Sequence, residues 1–252
     1  HFDFFQIGGH SLRATILATQ IHKAFQVKIP LAEIFKNPTV TGMAKFIDTA
    51  SKDIYSAIPV YERRESYPLT PMQKRLFILD EIEGSGIAYN LPFTTVIDGT
   101  PGIQVLEEIF MKIIRRHDSL RTSFFMLDRA PVQRVVEDVR FELESFEDAE
   151  ATQGFVRPFD LAKPPLMRAG ILPLEDGKCR LLVDMHHIIA DGTSFEILKD
   201  EFVALYRGDS LPSLKLQYTD FALWLHNETT QAEFRRQEVF WLDRFEGQLP
   251  VL

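Results

Sequence analysis

Two adjacent imidazoles followed by an Asp-Gly turn are the residues of this 252-residue chain best suited to do chemistry. They lie in the run Cys179-Arg180-Leu181-Leu182-Val183-Asp184-Met185-His186-His187-Ile188-Ile189-Ala190-Asp191-Gly192-Thr193-Ser194. Histidine is the side chain whose ordinary pKa suits proton transfer near neutrality. A glycine amide at the start of a helix, here Gly192, is placed to donate to a developing oxyanion. An imidazole, a carboxylate and a helix N-terminus are the parts of an acyl-transfer site that uses no enzyme nucleophile. Taken alone, the two histidines fit a hydrogen-bonded core pair before an ordinary turn better than they fit catalysis. A zinc site is weaker still: there is no His-Glu-x-x-His, and ligands on opposite faces of a strand cannot share one ion.

A second group opens the chain: Asp3-Phe4-Phe5-Gln6-Ile7-Gly8-Gly9-His10-Ser11-Leu12. Paired glycines allow a tight turn and leave Ser11 exposed where a helix begins. There the positive end of the helix dipole favours a phosphodiester. The alternative is that Ser11 merely caps its helix. A hydrolase elbow is excluded, because Arg13 stands where the second glycine belongs and no strand precedes.

The elements that position these groups follow from periodicity. Cys179, Leu181, Val183, Met185 and His187 alternate to one side of a strand, with Arg180, Leu182, Asp184 and His186 on the other. One histidine therefore projects toward a substrate while its neighbour packs into the scaffold. Thr193-x-x-Glu196 reads as the capping box of a helix whose apolar face is Phe195, Leu198, Phe202 and Leu205. Further helices are expected at about 70–82, 101–117 and 231–246, and strands at about 93–98, 120–126, 132–137 and 166–173. This alternation indicates a mixed α/β sandwich around one sheet.

Residues 1–50 read as short helices, with stripes at Leu17, Ile21, Ala24 and Phe25 and at Val40, Met43, Ala44 and Ile47. Asn37-Pro38 stops the turn that Pro30 opens. Five basic side chains face three acids in this block, against 28 and 36 in the whole chain, so the remainder is strongly acidic. A net charge of −8 leaves no basic footprint for nucleic acid. The uncharged run from Gly84 to Ile97 is too short and too interrupted to span a bilayer. The single cysteine, Cys179, fits a reducing compartment, so a cytoplasmic location is expected. Residues 51–66 read as a linker, polar except for 57–61, which runs into a first edge strand.

The segments named so far resemble a nonribosomal peptide synthetase: a carrier domain at 1–50, a linker at 51–66 and the N-terminal lobe of a condensation domain at 67–252. His186-His187-Ile188-Ile189-Ala190-Asp191-Gly192 is similar to the HHxxxDG motif. Four further segments agree in the family's order. They are Tyr67-Pro68-Leu69-Thr70-Pro71-Met72-Gln73-Lys74-Arg75-Leu76; Arg116-His117-Asp118-Ser119-Leu120-Arg121-Thr122-Ser123-Phe124 (Asp118 where Glu is usual); Arg157-Pro158-Phe159-Asp160-Leu161 with Pro165-Leu166-Met167-Arg168; and Tyr218-Thr219-Asp220-Phe221-Ala222-Leu223-Trp224. The opening group resembles the DxFFxxGGxS carrier motif.

The resemblance implies a small all-α carrier portion lacking its first helix, and an α/β lobe like chloramphenicol acetyltransferase with a mixed sheet. It implies covalent 4'-phosphopantetheine on Ser11, and it gives His187 the working role, with Gly192 N–H as oxyanion donor. Asp191 is expected to be structural, in a buried pair with Arg116 or Arg121, and His186 to be a scaffold residue. The expected partners are a downstream aminoacyl carrier, an upstream adenylation domain, a phosphopantetheinyl transferase and the second condensation lobe. The implied activity is amide formation between two carrier-bound acyl groups, and the isolated piece is expected to turn over poorly. Epimerisation is the neighbouring alternative, disfavoured because Phe195 stands where such domains carry Trp. A non-catalytic docking platform for carriers is the other.

Overall fold

The computed structural model describes residues 2–53, 55, 57–84 and 86–247, which form two compact units dividing after Ala57. The first holds α1 (Ser11–Phe25), α2 (Leu31–Lys36) and α3 (Val40–Thr49). Its core is Ala14, Ile21, Ile29, Ile34 and Met43, with Phe4, Phe5, Leu17, Ala18, Phe46 and Ile47 packed against it. The stripe along α1 sits one turn earlier than periodicity suggested, since Ala24 and Phe25 are exposed. So small a core ends before the last turn of α1, and left-handed Gln26 redirects the chain so that Val27 and Ile29 are buried instead. In α3, Met43, Phe46 and Ile47 face inward, while Val40 and Ala44 are exposed.

The segment before α1 is tied to the loop before α3: Asp3 bridges Thr39, and Phe4 N–H donates to Pro38 carbonyl at 2.7 Å. Gly8 turns the chain at φ +94°, which favours glycine. Gly9 is required for a different reason, because a Cβ there would collide with the carbonyl oxygen and ring of Phe4.

In the second unit the periodic segments form β1 (Tyr67–Pro68), α4 (Pro71–Glu83), β2 (Asn90–Asp98), α5 (Ile103–Arg116), β3 (Thr122–Leu127), β4 (Ala130–Val135), β5 (Glu144–Ser145), β6 (Met167–Pro173), β7 (Lys178–His186), α6 (Gly192–Tyr206), α7 (Tyr218–Leu225) and α8 (Glu228–Arg244). The strands make two sheets rather than the one expected. The larger has the order β2-β7-β6-β5 and is mixed, because β5 alone pairs in parallel. The smaller has the order β1-β4-β3. Its hairpin turns at Asp128 and Arg129, both at positive φ, and Phe124 packs with Leu69, Leu76 and Phe77 in a core of its own. A separate core lets the hairpin stand apart from the larger sheet.

Helices α5 and α6 cover one face of the larger sheet. Leu106, Ile109, Phe110, Ile113 and Ile114 of α5 meet Cys179, Leu181, Val183 and Met185 of β7, with Leu198 and Phe202 of α6 beside them. The other face carries Leu182, in contact with Phe155 and Leu172. Strand β7 thus has hydrogen-bonded neighbours on both edges and buried side chains on both faces.

The run 57–61 leads toward the edge strand β1, and Tyr61 N–H donates to the Asp220 carboxylate at 2.8 Å. Helix α7, unanticipated, is only eight residues long, too short to show a period, and is held by burial of Thr219, Asp220, Ala222, Leu223 and Leu225. Phe221 and Trp224 on it are half-buried and stacked on each other. No helix among the described residues is long and apolar enough to cross a membrane.

Because the collision at Gly9 involves backbone, it cannot be relieved by a rotamer change. Gly9→Ala is expected to destabilise the first unit by about 1–3 kcal/mol. Separate thermal melts of the two units would show it, with the second unit unchanged.

Candidate active site

The site forms where β7 ends. His186, its last residue, pairs across the sheet with Asn90 and is 2% exposed. Its ring lies against Phe159 (6.2 Å between centroids) and Tyr89 (6.4 Å), and its Nδ1 accepts from Ile188 N–H at 3.1 Å. The neutral ring therefore carries its proton on Nε2. Burial, reinforced by the neighbouring His187, lowers its pKa from 6.5 to about 4.

His187 lies beyond the strand, in the turn, and is exposed. Its own N–H donates to Tyr89 carbonyl at 2.8 Å. Its Nδ1 is 2.7 Å from the Ala190 carbonyl, which can only accept, so Nδ1 bears the proton. That bond leaves the Nε2 lone pair free to accept a proton. The two rings are separated by a strand ending as much as by strand parity.

After the turn, α6 begins at Gly192 with Asp191 as its N-cap. Asp191 Oδ1 accepts from Ser194 N–H (2.9 Å) and hydroxyl (2.8 Å), while Ser194 Oγ accepts from Asp191 N–H (3.0 Å). The capping box is therefore Asp191 and Ser194, rather than Thr193 and Glu196. Burial pushes the Asp191 carboxyl up, but the Ser194 bonds and the nearby His187 outweigh it and hold the pKa below the ordinary value. The Gly192 amide, first in the helix, has no carbonyl one turn back to bond. A Cβ added at Gly192 would meet nothing within 4 Å, and its φ is not positive. One turn into α6, a groove of about 410 Å³ opens against β2, lined by Phe93, Phe195, Leu198, Phe202 and Tyr206.

The expected Asp191–arginine pair does not form. Asp191 is exposed, as a cap at a helix start must be, and both arginines are committed elsewhere. Arg116 Nε donates to Glu201 at 2.8 Å, and His117 Nε2 donates to the other oxygen of the same carboxylate at 2.7 Å. Arg121 pairs with the buried Asp118 and donates to Val136 carbonyl at 3.0 Å. Glu201, absent from the sequence reading, thus joins the end of α5 to the middle of α6. Its signal was weak: one acid on a helix without a visible partner.

Other segments support the turn. Gln73 and Gln133 exchange amide hydrogen bonds, and Gln73 reaches toward Ile188 carbonyl at 3.5 Å. Asp184, fully buried on the His186 side of β7, accepts from Asn90 at 2.7 Å and Arg168 at 3.1 Å. Burial raises the Asp184 pKa against these favourable contacts. Arg168 also donates to the carbonyls of Phe155, Arg157 and Pro158 and lies 3.7 Å over the Phe159 ring that touches His186.

In the first unit Ser11 is the first residue of α1 and exposed, while His10 occupies the cap position without a side-chain bond. Ser11 does not cap its helix. Its hydroxyl is open beside amides that have no side-chain acceptor, which fits attachment of a phosphodiester there.

The family model "Phosphopantetheine attachment site" matches residues 2–47, and "Condensation domain" matches residues 63–252. Bacitracin synthase 3 of Bacillus licheniformis is 43% identical over 99% of the chain, and tyrocidine synthase 3 of Brevibacillus parabrevis 41% identical over 100%. The chain spans 4% of the length of each. Among solved structures, the starter condensation domain of rhizomide synthetase superposes with a TM-score of 0.64 at 19% identity, over 75% of this chain and 52% of that one. The first condensation domain of the calcium-dependent antibiotic synthetase gives 0.62 at 18% identity, over 74% and 50%.

The unfolded chain holds a proton on His186 more tightly than the folded one does. The stability that neutral His186 contributes is complete above about pH 6.5 and is lost as pH falls toward 4, up to about 3 kcal/mol. Urea unfolding of the second unit at pH 7 and at pH 4.5 is expected to show this loss, and His186→Gln to flatten it. Asp191→Ala is expected to cost about 0.5–2 kcal/mol for a lost cap, below the about 3–5 kcal/mol of a broken buried ion pair; chemical denaturation distinguishes the two.

Proposed function

The chain belongs to the condensation-domain family, and on that premise we propose that it serves nonribosomal peptide synthesis: the first unit carries an aminoacyl or peptidyl donor and the second joins it to an amine. The observation that carries the reading is the geometry of His187, exposed, with Nδ1–H fixed on the Ala190 carbonyl and Nε2 open. The 4'-phosphopantetheine group would be held on Ser11, where it supplies a thiol on a long arm for holding the donor as a thioester.

The roles of this chain's residues follow from their chemistry. His187 Nε2 takes the proton of the incoming ammonium or holds the neutral amine in line with the donor carbonyl. Gly192 N–H, at the positive end of α6, donates to the oxygen as it gains charge. His186, buried and with its Nδ1 occupied, anchors the turn rather than moving protons. Arg116, Arg121 and Asp191 are structural, each within its own contact.

The reading places the carrier within residues 1–57 and the condensation lobe from 58 onward. Solved condensation domains match this chain over about half their length, which supports a second lobe as the other wall of the site. A downstream aminoacyl carrier supplies the amine, an upstream adenylation domain the donor acyl group, and a phosphopantetheinyl transferase the arm. A cytoplasmic location fits the single reduced cysteine, Cys179.

The test uses the synthetase that contains this chain. Ser11→Ala is expected to abolish the coenzyme A-derived adduct seen by mass spectrometry, and His187→Ala to slow amide formation by about 100-fold or more. Gly192→Pro removes the N–H at the helix position where proline is most readily accommodated, after a residue already extended at φ −137°. It should leave the melting temperature unchanged and lower the rate by about 100-fold or more. A full rate in Gly192→Pro would remove that amide from the mechanism, and an adduct persisting in Ser11→Ala would remove the carrier assignment.

A further inference from the structure

The Tyr218–Trp224 motif takes no part in the chemistry above, yet Asp220 is buried and makes a specific bond outside its own helix. One carboxylate oxygen accepts from Gln217 N–H and caps α7; the other accepts from Tyr61 N–H at 2.8 Å, across 159 residues of sequence. Tyr61 lies in the stretch that sequence alone reads as linker. Residues beside it are held as well: Arg64 N–H donates to the Tyr67 hydroxyl at 2.9 Å, and Arg134 pairs with Glu65 at 2.9 Å while reaching its carbonyl at 3.3 Å. Arg63 lies 3.7 Å from the buried Asp118.

The other end of the same stretch is tied to the first unit. Asp53 N–H donates to Gln26 carbonyl at 2.7 Å, and Lys52 Nζ donates to Phe25 carbonyl at 3.0 Å. His22 Nε2 donates to Asp53 carbonyl at 2.8 Å. The Tyr55 ring stands edge-on to His22 at 5.2 Å with Lys23 over its face at 5.1 Å. These contacts gather at the C-terminal end of α1, where free carbonyls and cations belong. By contrast Ala57, Ile58, Pro59 and Val60 make no hydrogen bond, and all but Ile58 are exposed.

We infer that Asp220 is a positioning residue that, with His22 and Tyr55 on the carrier, shortens the carrier's tether to the run between Tyr55 and Tyr61. The inference rests on the carrier reading above. A free run of residues 51–66 extends to about 55 Å at most, whereas five residues extend to about 18 Å. Beyond the length that spans the two sites, effective concentration falls roughly as the −3/2 power of tether length, so the short tether raises encounter with the condensation site about sixfold over the free one. The motif acts on delivery of the donor, not on bond formation.

Backbone hydrogen exchange in the intact chain tests the anchors, and donor transfer in the full synthetase tests their use. The N–H groups of Asp53 and Tyr61 are expected to be protected, flanking unprotected Ala57, Ile58 and Val60. Tyr61→Pro deletes the N–H that Asp220 accepts while leaving the α7 cap intact, and Tyr61→Ala keeps that N–H as the control. Tyr61→Pro and His22→Ala together leave the Asp53 and Arg64 anchors in place and lengthen the run to about ten residues, so condensation from the tethered carrier is expected to fall about threefold. Condensation should be unchanged when a separately supplied carrier presents the donor, and Tyr61→Ala should behave as the parent. Fast exchange at Asp53 and Tyr61, an unchanged tethered rate, or equal losses with tethered and separate carriers would each overturn the inference. Failure of condensation in the parent protein, with the anchors still protected, would instead count against the carrier–condensation reading.

Discussion

The end of strand β7 is the constraint on which the rest of the second unit depends. The strand is hydrogen-bonded on both edges and buried on both faces as far as His186. A residue in such a place must be apolar, paired or neutral, so His186 is held neutral and its ring is packed between aromatics. The next residue leaves the sheet, and the turn that follows must satisfy its own polar groups. It does so by directing the Ala190 carbonyl back at His187, which sets the tautomer, and by starting a helix at Gly192. One local solution thus produces a buried imidazole, an exposed one and an unpaired amide in sequence.

Around that turn the charged side chains hold segments together rather than add net stability. Buried ion pairs roughly break even against well-packed apolar residues, yet are costly to break once present. Arg168 and Asp184 show the pattern: Arg168 gathers three carbonyls of the 155–158 loop and covers Phe159, which in turn touches His186. Glu201 plays the same part between α5 and α6 by engaging Arg116 and His117 with its two oxygens. Removing Asp184 leaves the buried Arg168 without a counter-charge, and removing Glu201 does the same to the half-buried Arg116. The geometry of the site is therefore held by groups that do not touch it.

The first unit solves a smaller problem. Its core is a handful of residues, so its helices are short and their outer turns exposed, and the loop before α1 has to be fixed by close backbone contact at Gly9. What it presents is a hydroxyl at a helix start without a competing cap. An exposed hydroxyl and a helix end without a competing cap are obtained together, at the cost of a glycine that admits no side chain.

Much of this was legible in residue order. The strand alternation to Met185, the apolar face of α6 at Leu198 and Phe202, and the exposure of Ser11 follow from period and turn chemistry, which act over a few residues. Pairings between distant segments were not legible. The sequence offered Arg116 and Arg121 as partners for Asp191; the fold assigned them to Glu201 and Asp118 and left Asp191 to cap its own helix. It offered a linker through residue 66, within which Tyr61 N–H is held by Asp220 from 159 residues away. Charge partnership depends on which surfaces meet when layers pack, and many pairings are chemically equivalent until they do. Local order determined which residue types stand at the turn after β7 and at the start of α1, while tertiary packing decided which imidazole is buried, which nitrogen holds the proton and which distant backbone groups the buried carboxylates engage.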